Sequence, residues 1–326
     1  MYGRADKGIY PRLSLDSMRA IISGASGAVG MALIKEIIDR GDEVLVLCRP
    51  SSQRSARLFG NERVSVKKCD MRDYAALKPC DVGEGYDVFF HLAWAGTNGA
   101  ERNDVRLQLE NVRYTLDALE LAARLGCSVF VGAGSQAEYG RTACSLSSKT
   151  PTFPENAYGM AKLCASQMSR ALAKRMGIRH VWARIISVYG PYDNENSLIS
   201  TAIRQLLLGE KTAFTPCEQA WDYIFSYDLA KCLIALAEDG RDGGVYCLGG
   251  GKTRRLREYV EIIRNNIDPQ APLGFGALDY PEGQVMHLCA DVSELERDTK
   301  YTPSTAFEDG IKITVEAYKN KLGLEK

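Results

Sequence analysis

One stretch constrains this chain more than any other: an apolar run that ends in spaced glycines and passes directly into a helical pattern. Arg19-Ala20-Ile21-Ile22-Ser23 reads as a buried strand, Gly24-Ala25-Ser26-Gly27-Ala28-Val29-Gly30 as a GxxGxxG loop, and the following Met31 to Arg40 as a helix closed by Gly41. In such a loop the glycines have distinct tasks. The chain turns sharply, its backbone approaches a pyrophosphate, and the helix packs close to the strand. The pyrophosphate then meets unpaired N–H groups and the positive end of the helix dipole. Glycine triplets also occur in ordinary turns. The strand before, the helix after and the position in the first βα unit favour a dinucleotide, held by Gly24, Ser26, Gly27, Ala28, Val29 and Gly30.

The rest of the chain repeats the alternation. DEVLVLC, VSVKKCD, YDVFFHLAW, CSVFVGAG and HVWARIISVYGP are strand-like, and VRLQLENVRYTLDALELAARLG is helical. Apolar strands separated by amphipathic helices predict an α/β fold, a Rossmann-type doubly wound parallel sheet with helices on both faces. With 326 residues the chain suits two closely packed domains. Beyond Pro191 the alternation loosens. The expected division is therefore an extension over residues 1–17, a dinucleotide-binding domain over 18–190, and a smaller mixed α/β substrate lobe over 191–326, with some exchange of segments.

Lys plus Arg and Asp plus Glu both number 41, so the net charge is zero, which disfavours a nucleic-acid partner. No apolar run approaches the ~20 residues of a membrane span, and the first segment lacks the apolar core of a signal peptide. Ten cysteines occur without a CxxC pair, so the expectation is a reduced, cytoplasmic protein with no metal site. His91, His180 and His287 are scattered and read as structural.

The second strand bears on the choice of cofactor. An NAD site usually carries an acid at its end, roughly 20 residues past the glycines, for the ribose hydroxyls. Here Cys48 stands in that place, followed by Arg49, Ser51 and Arg54. A 2′-phosphate is repelled by an acid and attracted by arginine, so NADP(H) is favoured, with NAD left open if the arginines only face solvent. Asp70, next to Met71 after the third strand, is placed either to accept from the adenine amino group or to cap the helix that begins near Tyr74.

Tyr158 and Lys162 form a YxxxK pair, which a helix turns to one face. A phenol ionises near 10, and bringing it to ~7 takes about three units, or roughly 4 kcal/mol. A lysine together with a cationic nicotinamide is a plausible source. Ser135 lies just past the strand CSVFV, at the carboxyl edge where such sheets bind ligands, and its hydroxyl suits the substrate oxygen that Tyr158 protonates.

Taken with GASGAVG (24–30), these segments resemble the extended short-chain dehydrogenase/reductase family, which comprises nucleotide-sugar epimerases, dehydratases and 4-ketoreductases. The matching stretches are CDMRD (69–73), HLAW (91–94), Asn111 with Thr115, SQAEYG (135–140), the segment from Pro151 to Lys162, RIISVYGP (184–191) and EQAWDYIFSYD (218–228). The resemblance implies Ser135, Tyr158 and Lys162 as catalytic residues, with Lys162 holding the nicotinamide ribose and tuning Tyr158. It implies cofactor contacts from Leu92, Ala93, Trp94 and Ile185, with Asn111 buttressing the catalytic loop. On the substrate side it implies Ser135, Gln136, Ser187, Asn196 and Trp221. Two positions depart from the family pattern. Ser187 stands where many relatives have asparagine, and Trp221 where many have a phosphate-binding arginine. Arg204 and Arg254 are candidate substitutes.

The family's 4,6-dehydratases carry an Asp-Glu pair after the serine position. Here Gln136 and Ala137 follow instead, and Glu138 is one step off and expected to face the loop. The 4-epimerases and 4-ketoreductases need only serine, tyrosine and lysine. The Cys48-Arg49 ending and a C-terminal lobe similar to CDP-abequose and CDP-paratose synthase-type reductases favour an NADPH-dependent 4-ketoreductase acting on a nucleotide-linked 4-keto-6-deoxy sugar. An NAD-dependent 4-epimerase is the alternative, and a silent NADP-binding regulator the second. The resemblance also implies a homodimer through the helices near 104–125 and after Tyr158.

Overall fold

The computed structural model describes residues 17–52 and 60–324, so most of the N-terminal extension and Arg54 lie outside the described residues. The central layer is a seven-stranded sheet. Its strands are β1 (Arg19–Ser23), β2 (Glu43–Cys48), β3 (Val64–Lys68), β4 (Val88–His91), β5 (Val129–Ser135), β6 (Arg179–Ile185) and, after several intervening elements, β10 (Gly244–Leu248). Their order is β10-β6-β5-β4-β1-β2-β3, and every pairing is parallel. The chain winds outward in one direction through β2 and β3, then returns to β4 and winds the other way. The crevice between the carboxyl ends of β1 and β4 is therefore the switch point where such sheets bind ligands.

Adjacent strand residues are buried on opposite faces, which is why the strands read as unbroken apolar runs. Ile22, Val46, Phe90 and Val131 pack against α1 (Ala28–Asp39) and α6 (Ser226–Asp239). Ile21, Leu45, Phe89 and Phe130 pack beneath α3 (Val105–Arg124), which lies against α4 (Ala157–Met176); α2 (Pro79–Val82) is a single turn beside them. Two histidines are built into these layers. His91 meets the Ser23 and Thr115 hydroxyls at 2.9 and 3.3 Å, and His180 meets Ser169 at 2.8 Å. Burial holds their pKa values down at about 3 and about 4.

The expected boundary at residue 191 is crossed by the chain. It leaves the sheet through β7 (Val188–Tyr189) and α5 (Leu198–Leu207), forms β8 (Ala220–Trp221) and β9 (Ile224–Phe225), and returns with α6 and β10 to complete the sheet. The remaining lobe contains β11 (Arg254–Arg255), α7 (Leu256–Ile267), β12 (His287–Leu288), α8 (Ser293–Thr299) and α9 (Phe307–Leu322). Its core joins α5, α7 and α9 around Tyr189, Phe225, Tyr259 and Phe307. Buried carboxylates knot the crossings. Asp222 accepts from the backbone N–H groups of Gly250, Gly251 and Ala290, and Asp228 from those of Ser304 and Thr305. The EQAWDYIFSYD segment thus contributes two acids to architecture.

Candidate active site

At the switch point the chain comes very close to itself. Gly24 directly follows β1 at φ 76°, and a Cβ there would lie 2.5 Å from the Ala93 nitrogen beyond β4. Gly30 packs the first turn of α1 onto Ala25, leaving no room for a side chain. Gly27 differs: it is the N-cap of α1, contributes no capping side chain, and a Cβ on it would enter open space. The first N–H groups of α1 are therefore presented, without a side-chain partner, to a cleft of about 560 Å³ lined by Gly24, Gly27, Ala28, Val29 and Gly30. This is a cradle of the shape and polarity a pyrophosphate needs, and it fits a dinucleotide. Ser26 lies in the same loop but does not line the cleft.

The same cleft brings Ser135, Tyr158 and Lys162 together. Ser135 ends β5, and its Oγ accepts from the Ala137 N–H at 3.2 Å, which leaves the hydroxyl proton free to donate. Tyr158 lies in the first turn of α4, which Asn156 caps by accepting from the Gly159 N–H. Burial raises the phenol pKa, while a hydrogen bond with Ser135 and the charge of Arg102 lower it. Lys162 is held by two other elements. Its Nζ donates to the Ala133 carbonyl at 2.6 Å and sits 3.7 Å over the Trp94 ring, but is 5.9 Å from the Tyr158 ring centre. Burial pulls the Lys162 pKa down to about 7, against an opposing pull from Glu138.

Glu138 corrects the sequence reading. Rather than facing the loop it is wholly buried behind Ser135. Its Oε1 accepts from the Ser135 N–H at 2.8 Å and from Trp182 Nε1 at 3.0 Å, and its Oε2 pairs with Arg184 Nε at 2.6 Å. Gly132 and Gly134 of β5 make room for this cluster: side chains there would run into the Trp182 indole, and at 134 also into Glu138 Oε1.

Of the other expected cofactor residues, Leu92, Trp94 and Ile185 line the cleft, and Ala93 lies directly behind Gly24. Asn111 is buried and grips both backbone groups of Ala95 at 2.9 Å, so it shapes the loop after β4 from beneath. Asp70 caps a turn over Met71–Asp73 by accepting from the Arg72 N–H, and Met71 is buried under the sheet. Arg49 and Ser51 are exposed just past β2.

On the substrate side, Gln136 is half-buried beside Ser135, and Asn196 is exposed ahead of α5. The two positions that depart from the family pattern meet: Trp221 Nε1 donates to Ser187 Oγ at 2.9 Å. Arg254, paired across strands with Trp221, is tied to Glu308, and Arg204 to Glu210. Sequence reading missed Thr97, Asn98, Arg102, Tyr192, Asp193 and Asn194, which also line the cleft, as do Ala133, Gly134, Ile186 and Val188. Arg102 carried no signal beyond its place in the loop after β4. Among the described residues no His, Cys, Asp and Glu group is placed to hold a metal, and no helix is long and apolar enough to cross a membrane.

A profile of the NAD dependent epimerase/dehydratase family matches residues 20–249. UDP-glucuronic acid decarboxylase 1 of Arabidopsis thaliana is 24% identical over 319 residues, covering 94% of this chain and 71% of the relative. Among solved structures, the UDP-N-acetylglucosamine 4-epimerase of Methanobrevibacter ruminantium M1, in complex with UDP-N-acetylmuramic acid, superposes with a TM-score of 0.85 at 23% identity, covering 94% of this chain and all of that one. The UDP-glucuronic acid 4-epimerase of Bacillus cereus, with UDP-glucuronic acid and NAD, gives 0.80 at 21% identity, over 93% of this chain and all of that one.

Proposed function

This chain belongs to the NAD dependent epimerase/dehydratase family, and from that premise we propose that it reduces the C4 ketone of a nucleotide-linked 4-keto-6-deoxy sugar with NADPH. The observation that carries this reading is the state of Glu138. Dehydration requires a second acid–base pair beside the serine. Gln136 and Ala137 supply none, and the Glu138 carboxylate is used up by three donors. Chemistry without that second pair fits the site, and net reduction needs only one hydride and one proton. Bound NADPH supplies the hydride. Ser135 donates a hydrogen bond to the ketone oxygen, and Tyr158 gives that oxygen its proton as charge builds there. Lys162, held by the Ala133 carbonyl, lines the same cleft and would suit the ribose hydroxyls of a bound cofactor.

The end of β2 supports NADPH over NADH: Arg49 and Ser51 are exposed there, and Cys48 replaces an acid. The 4-epimerase neighbours support the second reading, in which a retained NAD takes and returns one hydride at C4. The working unit we propose is a homodimer. Val105 and Leu109 on α3 and Met160 and Met168 on α4 are 48–69% exposed, an apolar face suited to a second copy.

The test is to follow nicotinamide absorbance while the purified protein meets NADPH or NADH and a panel of CDP-, dTDP-, UDP- and GDP-linked 4-keto-6-deoxy sugars, with Tyr158→Phe as control. Oxidation of NADPH by one nucleotide series, reduced roughly 10²–10⁴-fold in the control, supports the reductase. No NADPH oxidation, together with tightly copurifying NAD, moves the assignment to the epimerase.

A further inference from the structure

Arg102 lies in the single 3₁₀ turn Gly99–Asn103 between β4 and α3. Its guanidinium carbon is 4.2 Å from the centre of the Tyr158 ring, and its Nη1 donates to the Thr97 carbonyl at 2.9 Å. That bond uses one of its five N–H groups, and among the described residues it makes no ion pair with a carboxylate. The cleft wall contains two cations, Arg102 and Lys162. Of these, Arg102 is the nearer to the centre of the Tyr158 ring, at 4.2 Å against 5.9 Å for Lys162, whose Nζ donates to the Ala133 carbonyl and sits over the Trp94 ring.

We propose that Arg102 is a positioning residue for Tyr158, holding the phenol from its ring face and supplying the positive charge that faces the phenolate once the proton has been given away. The proposal rests on the catalytic reading of Tyr158. In the reduction, hydride from NADPH forms the new C–H bond. The phenol O–H bond breaks as the alcohol O–H bond forms, and the phenolate keeps its electron pair until solvent returns a proton. A cation over the ring attracts the neutral ring weakly through its quadrupole and the anion strongly through its charge, so it favours the state reached after proton transfer.

The groups that face this phenol come from several elements. Ser135 of β5 hydrogen-bonds to it, and Glu138 from the turn after β5 opposes its ionisation. Lys162 lies on its own helix, Asp193 across the cleft, and Arg102 on the loop after β4. Burial raises its pKa, and Arg102 is the charged group that lowers it.

The test reads Tyr158 directly, without turnover. Enzyme carrying ¹³C-labelled tyrosine and bound NADP⁺ is titrated by NMR, with the Tyr158 signal assigned by its loss in Tyr158→Phe. Arg102→Met keeps the stem over the ring and removes the charge. The Tyr158 midpoint is expected to rise by about one pH unit, and Arg102→Lys to restore most of it. In the reduction assay, the high-pH limb of kcat moves up by the same amount. At neutral pH kcat falls by about three- to tenfold, more than any change in the KM for NADPH. If the Met variant disturbs the loop, Arg102→Gln, which retains a donor for Thr97, must show the same rise. An unmoved midpoint in a folded charge-free variant overturns the proposal, even if turnover falls. If the wild type turns over no sugar while the midpoint still moves, the assigned reaction fails and the Arg102–Tyr158 coupling stands.

Discussion

Replacing Glu138 by glutamine tests whether the buried cluster behind Ser135 is an energetic unit. Glu138 is fully buried and the Arg184 side chain is 3% exposed. If the glutamine keeps its carbonyl toward Ser135 N–H and Trp182 Nε1, its amide hydrogens face Arg184 Nε, donor against donor. If it turns the other way, two donors lose their acceptor. Either way a guanidinium is left in the interior without its counter-ion, which costs about 3–5 kcal/mol. That is a large share of the ~5–15 kcal/mol that holds a typical protein folded. With a urea slope near 3 kcal/mol/M, the midpoint of unfolding should fall by roughly 1–2 M. Arg184→Met alone should cost a similar amount by stranding the carboxylate. The double variant should be less damaging than the sum of the two, with a coupling energy of about 1–3 kcal/mol. Urea unfolding followed by tryptophan fluorescence gives all four corners of the cycle. Single costs below about 1 kcal/mol, or costs that simply add, would refute the reasoning.

Arg49→Ala should weaken NADPH about ten- to a hundred-fold while barely changing NADH, as calorimetric titration will read; equal losses would mean that Arg49 serves a part shared by both cofactors. Acid should destabilise the fold through its buried histidines. His91 and His180 stay neutral when folded, with pKa values of about 3 and about 4, but take a proton near 6.5 when unfolded, so stability is intact above pH 6.5 and is lost as pH falls below it. The loss should be about 1.4 kcal/mol per pH unit for each histidine down to pH ~4, and a flat urea midpoint between pH 6.5 and 4.5 would contradict it. Light scattering at micromolar concentration should give twice the monomer mass, and Leu109→Glu with Met160→Glu should halve it.

The glycine loop was legible because its meaning is local: strand, turn and helix adjoin in sequence, and the structure places them together at the switch point. Tyr158 and Lys162 were legible as a helical pair, but the destination of the lysine was not. That depended on Ala133 and Trp94, which come from two other strands' ends. Glu138 was misread for a related reason. Spacing shows that it follows Ser135 by three residues, but not that Arg184 and Trp182, more than 40 positions on, wait to receive it. Ser187 and Trp221 each stood out as a departure from the family pattern, while their hydrogen bond is a fact of folding. Arg102 is 56 positions ahead of the tyrosine it covers, with nothing in the intervening sequence to link the two.

Gly132 and Gly134 lend their missing side chains to a neighbour. The Trp182 indole fills both vacancies, with Gly132 opposite Trp182 and Gly134 opposite Arg184 in the pairing of β5 with β6. The indole therefore acts as a key cut for one register. Sliding β6 by a single residue would turn Trp182 to the other face of the sheet and leave the slots empty. Ala161 and Ala165 of α4 rest on the same ring. A single side chain thus joins the end of β5, which carries Ser135, to the helix bearing Tyr158. The serine and the tyrosine thus share a support inside the sheet, beneath the cleft surface that faces the ligand.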